Sequence, residues 1–140
     1  MNPPYPGRCL CGAVGLEADA FMPGAAHCHC SMCRRFHGAA FATIVSVRAE
    51  DFRWVRGEEM LRSFTADNGT VRTFCSQCGS SLLFYSPRAP SEVMEVALGV
   101  FDEPVPARPD AHIFVDSGAQ WAPAGDGLPR FAAGRSSPRR

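Results

Sequence analysis

The sequence contains no lysine, has no net charge and lacks a long apolar run, and the last two of these absences each exclude a class of partner. All 14 basic residues are arginine, and they balance 14 acidic residues. The chain therefore has none of the basic excess with which proteins bind nucleic acid or an anionic membrane. Its longest apolar-leaning stretch, GAAFATIVSV at 38–47, is far shorter than the ~20 residues of a membrane-spanning helix. We expect no nucleic-acid partner and no membrane span.

We also expect no secretory signal, because the first residues of the sequence lack a basic segment followed by an apolar one. The expected location is therefore cytoplasmic. In that reducing compartment, cysteines serve as metal ligands or catalytic thiols more often than as disulfides. The chain has seven cysteines, an odd number that cannot all pair within one molecule. The cysteines are thus the best guide to its chemistry.

Length and composition predict one domain with a real core, since 46% of the 140 residues are apolar and 20% are charged. We expect this domain over 1–131 and a loose tail over 132–140. The pattern is mainly β, with one helical turn at 31–36 and no long amphipathic helix. Strands are expected at 8–18, 39–47, 51–55, 60–66, 70–74, 81–86, 92–101 and 112–116. The third and fourth of these are expected to form a hairpin.

The last cysteine pair, in FCSQCGSS, has the pattern of a zinc knuckle. A Cys-x-x-Cys loop followed by glycine curls so that Cys75 and Cys78 face one ion. A thioredoxin-like redox pair would need a βαβ context, which the strand pattern lacks. Cys9 and Cys11 lie two apart on a predicted strand, so both face one side while Leu10 faces apolar surroundings on the other. Two such pairs make a closed four-thiolate site, which joins distant segments of the chain.

Three cysteines remain for a second site: Cys28, Cys30 and Cys33. Soft thiolates favour zinc over iron here, and three of them leave the fourth position of a tetrahedral ion open, as in catalytic zinc sites. In the alternative, His27 or His37 fills that position and makes the site structural. His29, between two ligand cysteines, is expected to point away. Three buried thiols without a metal are a further alternative.

Six segments occur in order along the chain: GRCLCGAV, HCHCSMCRRFHG, RTFCSQCGSSL, LGVFDEP, HIFVDSGAQW and GDGLPRF. Over roughly residues 7–131 the sequence resembles the glutathione-dependent formaldehyde-activating enzyme family, the CENP-V/GFA domain. The resemblance implies a β-tent zinc fold, in which antiparallel sheets are clamped by a four-cysteine zinc site. It also implies two zinc ions per chain. The structural ion would be held by Cys9, Cys11, Cys75 and Cys78, and the catalytic ion by Cys28, Cys30 and Cys33.

The implied function is that of a zinc-dependent carbon–sulfur lyase similar to S-(hydroxymethyl)glutathione synthase. Its partners would be a small thiol, glutathione above all, and formaldehyde or a related small aldehyde. Arg34 and Arg35 could bind the glutathione carboxylates or be plain surface arginines. His37 or His112 could carry a proton to the adduct, although a hydrogen-bonded structural role also suits His112 in its apolar strand.

Other functions are open at this point. A zinc-binding module without catalysis, such as a thiol carrier, a chaperone or a scaffold, would hold both metals and form no aldehyde-dependent product. The zero net charge disfavours a nucleic-acid-binding zinc domain. A methionine sulfoxide reductase would need a free nucleophilic cysteine, whereas the two metal sites use all seven.

Overall fold

A computed structural model describes residues 2–86, 92–122 and 125–140, and over these ranges the chain is mainly β, as predicted. The strands are β1 (Tyr5–Arg8), β2 (Gly15–Ala18), β3 (Ala26–Cys28), β4 (Ala42–Arg48), β5 (Phe52–Arg56), β6 (Leu61–Thr65), β7 (Val71–Cys75), β8 (Ser81–Tyr85), β9 (Val93–Ala97) and β10 (His112–Ile113). One α-helix, α1, spans Ser31–His37 within the described ranges. No helix found there has the length and apolar character needed to cross a membrane.

The contacts of the chain divide it into two units. The first comprises Met1–Pro23 and Val45–Ala107, and the second comprises Gly24–Ile44 and Arg108–Arg140. The chain passes from the second unit to the first within β4. Each unit contains one of the two cysteine groups, so each is described on its own.

In the first unit, β1, β2 and β5 form an antiparallel sheet, while β6, β7, β8 and β9 pair consecutively, also antiparallel. The predicted hairpin of 51–55 with 60–66 is wrong, because β5 pairs with β2 and β6 pairs with β7. Gly57, which follows β5, shows why. Its φ is +75°, and a Cβ there would overlap the carbonyl oxygen of Ala13. Glycine alone permits this close approach, which holds the end of β5 beside the β1–β2 loop.

The strand predicted over 8–18 is interrupted, because β1 ends at Arg8 and β2 begins at Gly15, with residues 9–14 as the loop between them. Two other predicted strands are shorter than expected. The chain turns into 3₁₀ conformation at Leu98–Val100 after β9 and at Val115–Ser117 after β10. In each of the three places a local turn ends the strand earlier than its apolar composition suggests.

The core of the first unit includes two of its cysteines, Cys9 and Cys75. Cys9, Val14, Cys75 and Leu82 form one buried cluster, none of them more than 2% exposed. The side chain of Trp54 packs against this cluster. Burial of this apolar surface stabilises the loop and the strand ends that present the sulfurs.

In the second unit, β3 lies between β4 and β10. It pairs antiparallel with the start of β4, matching Cys28 with Ala42, and parallel with β10, matching His27 with His112. The helix α1 follows β3 directly, with Cys30 as its N-cap. It ends at Gly38, whose left-handed φ of 59° is typical of a helix C-cap.

The C-terminal residues make specific contacts within the second unit. Phe131 forms a bridge with Arg139, and the guanidinium of Arg140 donates to both carboxylate oxygens of Asp116 at 3.1 Å. These contacts give the segment predicted as a loose tail, 132–140, a defined course. The domain boundary at 131 stays a prediction.

Candidate metal centres

The structure brings together the sulfur atoms of four cysteines, all within 4.8 Å of one another: Cys9, Cys11, Cys75 and Cys78. The first two lie on the β1–β2 loop, the third ends β7, and the fourth lies in the turn before β8. The placement of Cys9 and Cys11 on a strand is therefore wrong. Leu10 between them is 88% exposed, instead of facing apolar surroundings. Both thiols face one side because of the conformation of this loop, and not because of the alternation of side chains along a strand.

Two glycine turns shape this group. The N–H of Gly12 donates to the carbonyl of Cys9 at 3.1 Å, and the N–H of Gly79 donates to the carbonyl of Cys75 at 2.8 Å. Both glycines have left-handed φ values, +81° and +78°. Each turn thus curls the chain behind its pair of thiols, and a side chain at either glycine would strain it.

The four-sulfur group fits zinc. Tetrahedral zinc with Zn–S bonds of about 2.3 Å places its sulfurs about 3.8 Å apart. The Sγ atoms of Cys9 and Cys11 lie 3.6 Å apart, and those of Cys11 and Cys75 lie 3.9 Å apart. These separations are far too long for a disulfide, whose sulfurs are about 2.05 Å apart. They match the spacing that a bound ion requires.

Hydrogen bonds to the sulfurs favour their thiolate forms. The backbone N–H of Val14 donates to Cys9 Sγ at 3.3 Å, and the Gln77 amide donates to Cys11 Sγ at 3.4 Å. The Ser80 hydroxyl, 3.2 Å from Cys78 Sγ, lowers the pKa of Cys78 to about 5. The backbone N–H of Ala13 acts in the same sense on Cys11, but desolvation and the neighbouring sulfurs raise the pKa of that thiol to about 11. Four thiolates this close repel one another, so a cation is needed to keep them all ionised.

The structure also brings together a second group of sulfurs, those of Cys28, Cys30 and Cys33, again within 4.8 Å. Cys28 ends β3, Cys30 caps α1, and Cys33 lies in the first turn of that helix. The N–H of Cys33 donates to Cys30 Sγ at 3.2 Å, so this sulfur accepts as a side-chain oxygen does at many helix N-caps. Hydrogen bonds with Cys30 and Cys33, together with burial, raise the pKa of Cys28. As in the first group, a bound cation would stabilise the ionised thiols.

The three histidines near this second group in sequence each contact another side chain. His27 Nδ1 lies 2.8 Å from the Thr43 hydroxyl, and His29 Nε2 lies 2.8 Å from His112 Nδ1. His37, the last residue of α1, stacks edge-on against Phe36. Within the described ranges, the compact group of possible metal ligands here consists of the three sulfurs alone.

His112 is buried and hydrogen-bonded through both ring nitrogens. Its Nε2 lies 2.8 Å from a carboxylate oxygen of Asp126, and only 2% of the residue is exposed. Because the carboxylate can only accept, Nε2 of His112 donates, and the hydrogen bond holds the pKa of Asp126 below its usual range. Burial, followed by the neighbouring His112, lowers the pKa of His29 to about 4. Sequence reasoning missed this chain of side chains, although Asp126 stands in the quoted segment GDGLPRF.

The two predicted anion-binding arginines differ in their surroundings. Arg34 donates from Nη2 to the carbonyl oxygen of Ser117 at 3.2 Å, and its buried Nε has no partner among the residues that the structure describes. Arg35 is exposed. The Nε–H of Arg34 is therefore a buried donor without a partner among the described residues, whereas Arg35 is exposed to solvent.

A cavity of about 370 Å³ lies in the second unit, within the size range of small-molecule sites. Its lining includes His29, Asp116, Gln120 and Arg130. His29 is the residue between the second and first cysteines of the three-sulfur group, so the cavity adjoins that segment of chain. Sequence reasoning missed Arg130 as well, since a lone arginine after proline carries no local signal.

Comparisons with known proteins agree with the family resemblance. Residues 4–117 match the family described as glutathione-dependent formaldehyde-activating enzyme. A Halomonas elongata protein, provisionally named as such an enzyme, is 30% identical over 122 residues, covering 82% of this chain and 77% of its own. An uncharacterized lyase of Schizosaccharomyces pombe is 30% identical over 82 residues, covering 59% of this chain. This match spans only 58% of the length of the Schizosaccharomyces pombe protein.

A solved structure supports the fold. The crystal structure of a Rhodobacter sphaeroides protein aligns with a TM-score of 0.59 at 32% sequence identity. The alignment covers 72% of this chain and 91% of that protein.

Proposed function

The chain belongs to the glutathione-dependent formaldehyde-activating enzyme family, and from that premise we propose that it catalyses the reversible addition of a small thiol to a small aldehyde. Glutathione and formaldehyde are the proposed pair. The observation that carries the proposal is the separation of the seven cysteines into a group of four sulfurs and a group of three. A closed site and an open site are what such an enzyme requires.

We assign the four-sulfur group to structural zinc. Its ligands come from positions far apart in sequence, and two of them, Cys9 and Cys75, are part of the buried cluster of the first unit. Four protein ligands leave no room for a substrate. The contribution of this site is therefore to stability.

We assign the three-sulfur group to catalytic zinc. A zinc ion held by Cys28, Cys30 and Cys33 would leave a coordination position free for a small thiol and would favour its thiolate form at neutral pH. The three cysteines give the site a formal charge of −1, which keeps that sulfur electron-rich and nucleophilic. Arg34, which follows Cys33 in α1, offsets part of this charge.

In the proposed reaction the thiol sulfur forms a bond to the aldehyde carbon and the C=O double bond becomes a C–O⁻ single bond. The proton that the thiol released then neutralises the alkoxide, giving the S-hydroxymethyl adduct. We assign the transfer of this proton to His37, which is partly exposed at the end of α1. His112, buried with both ring nitrogens engaged, is not assigned to this proton transfer.

We place the two carboxylates of glutathione against arginine. Arg34 has an Nε without a partner among the residues described, Arg35 is exposed, and Arg130 lines the 370 Å³ cavity together with His29. Guanidinium groups bind carboxylates through paired N–H donors. The reaction also requires that all seven cysteines stay reduced, and the cytosol meets this requirement.

Exchange NMR with ¹³C-formaldehyde and glutathione tests the proposal. Zinc-loaded protein should accelerate the exchange of label between free formaldehyde and the S-hydroxymethyl adduct, whereas Cys30→Ser protein should not. Ser31→Ala, next to Cys30 and outside the sulfur group, is the matched control and should behave as the wild type. If the wild-type protein leaves the exchange rate at its uncatalysed value, the enzyme proposal fails and a non-catalytic zinc module is the better description.

A further inference from the structure

A third cluster of metal-ligand side chains lies in the second unit, apart from the sulfurs. It consists of His27, His112 and Asp126, each offering a nitrogen or oxygen atom within 4.8 Å of the others. The parallel register of β10 and β3 sets His112 beside His27, with ring centroids 4.8 Å apart. Asp126 then meets His112 Nε2 at 2.8 Å. Neither strand alone contains this site.

We propose that His27, His112 and Asp126 bind one divalent transition-metal ion, separate from the two cysteine sites. Two imidazoles and one carboxylate are the ligand set of many zinc and non-haem iron sites, and they leave coordination positions open. This proposal does not depend on the proposed function.

The second ring nitrogen of each histidine already has a partner. His27 Nδ1 lies 2.8 Å from the Thr43 hydroxyl, which leaves Nε2 for an ion. His112 Nδ1 lies 2.8 Å from His29 Nε2, which leaves its Nε2 facing Asp126. Metal-binding histidines usually have such a partner, because it fixes the orientation of the ring. The cluster therefore has its supporting hydrogen bonds in place before an ion binds.

The spacing suits the ion as well. Ligand atoms about 2.1 Å from a metal lie about 3.0–3.4 Å from each other at angles between 90° and 109°. The 2.8 Å between His112 Nε2 and the Asp126 carboxylate is close to that range. An ion would take the place of the N–H···O hydrogen bond between them. The ring proton of His112 would move from Nε2 to Nδ1, and that of His29 from Nε2 to Nδ1, so the hydrogen bond between the two rings reverses its direction and the charge on each imidazole is unchanged.

An ion can reach the cluster from solvent. The Asp126 side chain is 45% exposed, while that of His112 is 3% exposed. One ligand thus faces water, and another is held rigidly inside. This combination differs from a surface cluster of acidic groups, which has no buried, oriented member.

Co²⁺ is the probe for this site, because its spectrum distinguishes nitrogen and oxygen ligands from sulfur. The metal-free, reduced protein is first given only the two equivalents of zinc that the cysteine groups take up, because thiolates bind zinc more tightly than the third cluster does, and Co²⁺ is then titrated. We expect one further equivalent of Co²⁺ with ligand-field bands and no thiolate charge-transfer band. Asp126→Asn should weaken this binding by at least about tenfold. Asp102→Asn, an exposed carboxylate in the first unit, is the control and should leave it unchanged.

A second variant addresses the supporting hydrogen bond. Thr43→Val keeps all three ligands and removes the partner of His27, so it should also weaken Co²⁺ binding by about tenfold. The proposal is overturned if zinc-loaded wild type takes up no further Co²⁺, or if Asp126→Asn and wild type bind it equally. In either case the three side chains are a hydrogen-bonded chain only. Thiolate charge-transfer bands in the added Co²⁺ would also overturn it, because they would place the ion at the cysteines.

Discussion

Replacing Cys75 by serine should remove most of the stability of the protein. Cys75 is fully buried in the core cluster of the first unit, and its sulfur lies 3.9 Å from that of Cys11, 64 residues away in sequence. The proposed zinc ion there would join segments that the unfolded chain would leave far apart. The three-sulfur group closes a loop of only five residues, so it constrains the unfolded chain much less.

The magnitude follows from the loss of zinc binding, and loop closure explains why this loss exceeds the one expected at the three-sulfur group. Loop-closure entropy grows as 1.5RT ln n, so closing 64 residues instead of five stabilises the folded state by about 2 kcal/mol more. Losing one of four thiolates should also weaken zinc binding by roughly 1,000-fold, which corresponds to about 4 kcal/mol at saturating zinc. Domains of this size have total stabilities of about 5–15 kcal/mol. Against a total near the lower end of that range, this loss removes most of the stability, so the Cys75→Ser protein should unfold at a much lower urea concentration than the wild type.

Urea unfolding followed by tryptophan fluorescence measures this loss, because Trp54 packs against the cluster that contains Cys75. Ser76→Ala, at the exposed neighbouring position, is the matched control. Chelation should lower the stability of the wild type towards that of Cys75→Ser and should change the variant little. If Cys75→Ser protein unfolds at the same urea concentration as the wild type, the assignment of a structural metal to this group is wrong.

Three other changes test other parts of the molecule. Cys30→Ser should stay folded and keep about one zinc per chain by elemental analysis, because its group closes a short loop; loss of both ions would contradict this. The pKa of His29, lowered to about 4, means that the unfolded chain takes up a proton from pH 6.5 downwards while the folded one resists it. Stability from this residue should be complete above pH 6.5 and fall by about 3 kcal/mol towards pH 4, and His29→Gln should reduce the slope in urea unfolding. Gly57→Ala should lower the thermal midpoint by several degrees, since its Cβ would overlap Ala13; an unchanged midpoint would refute that contact.

The cysteines could be divided into two groups from the sequence because the turns that present the two pairs of the four-sulfur group are specified by residues next to those cysteines. Cys-x-Cys-Gly and Cys-x-x-Cys-Gly each place a glycine where the chain must adopt a left-handed φ. The structure brings the same four sulfurs and the same three sulfurs together. The roles of these groups stay predictions. The strand assigned to Cys9 and Cys11 was wrong for a related reason, because a glycine turn outweighs the alternation of apolar residues around it.

What the sequence by itself determined is the mainly β character, several turns and the division of the cysteines into two groups, all of which depend on neighbouring residues. Only the tertiary structure decided which strands pair. The pairing of β5 with β2 depends on the approach of Gly57 to Ala13, residues far apart in sequence. The meeting of His27 with His112 depends on a parallel register between strands more than 80 residues apart. Such contacts depend on the packing of many residues that are far apart in sequence, so a short stretch of sequence does not specify them.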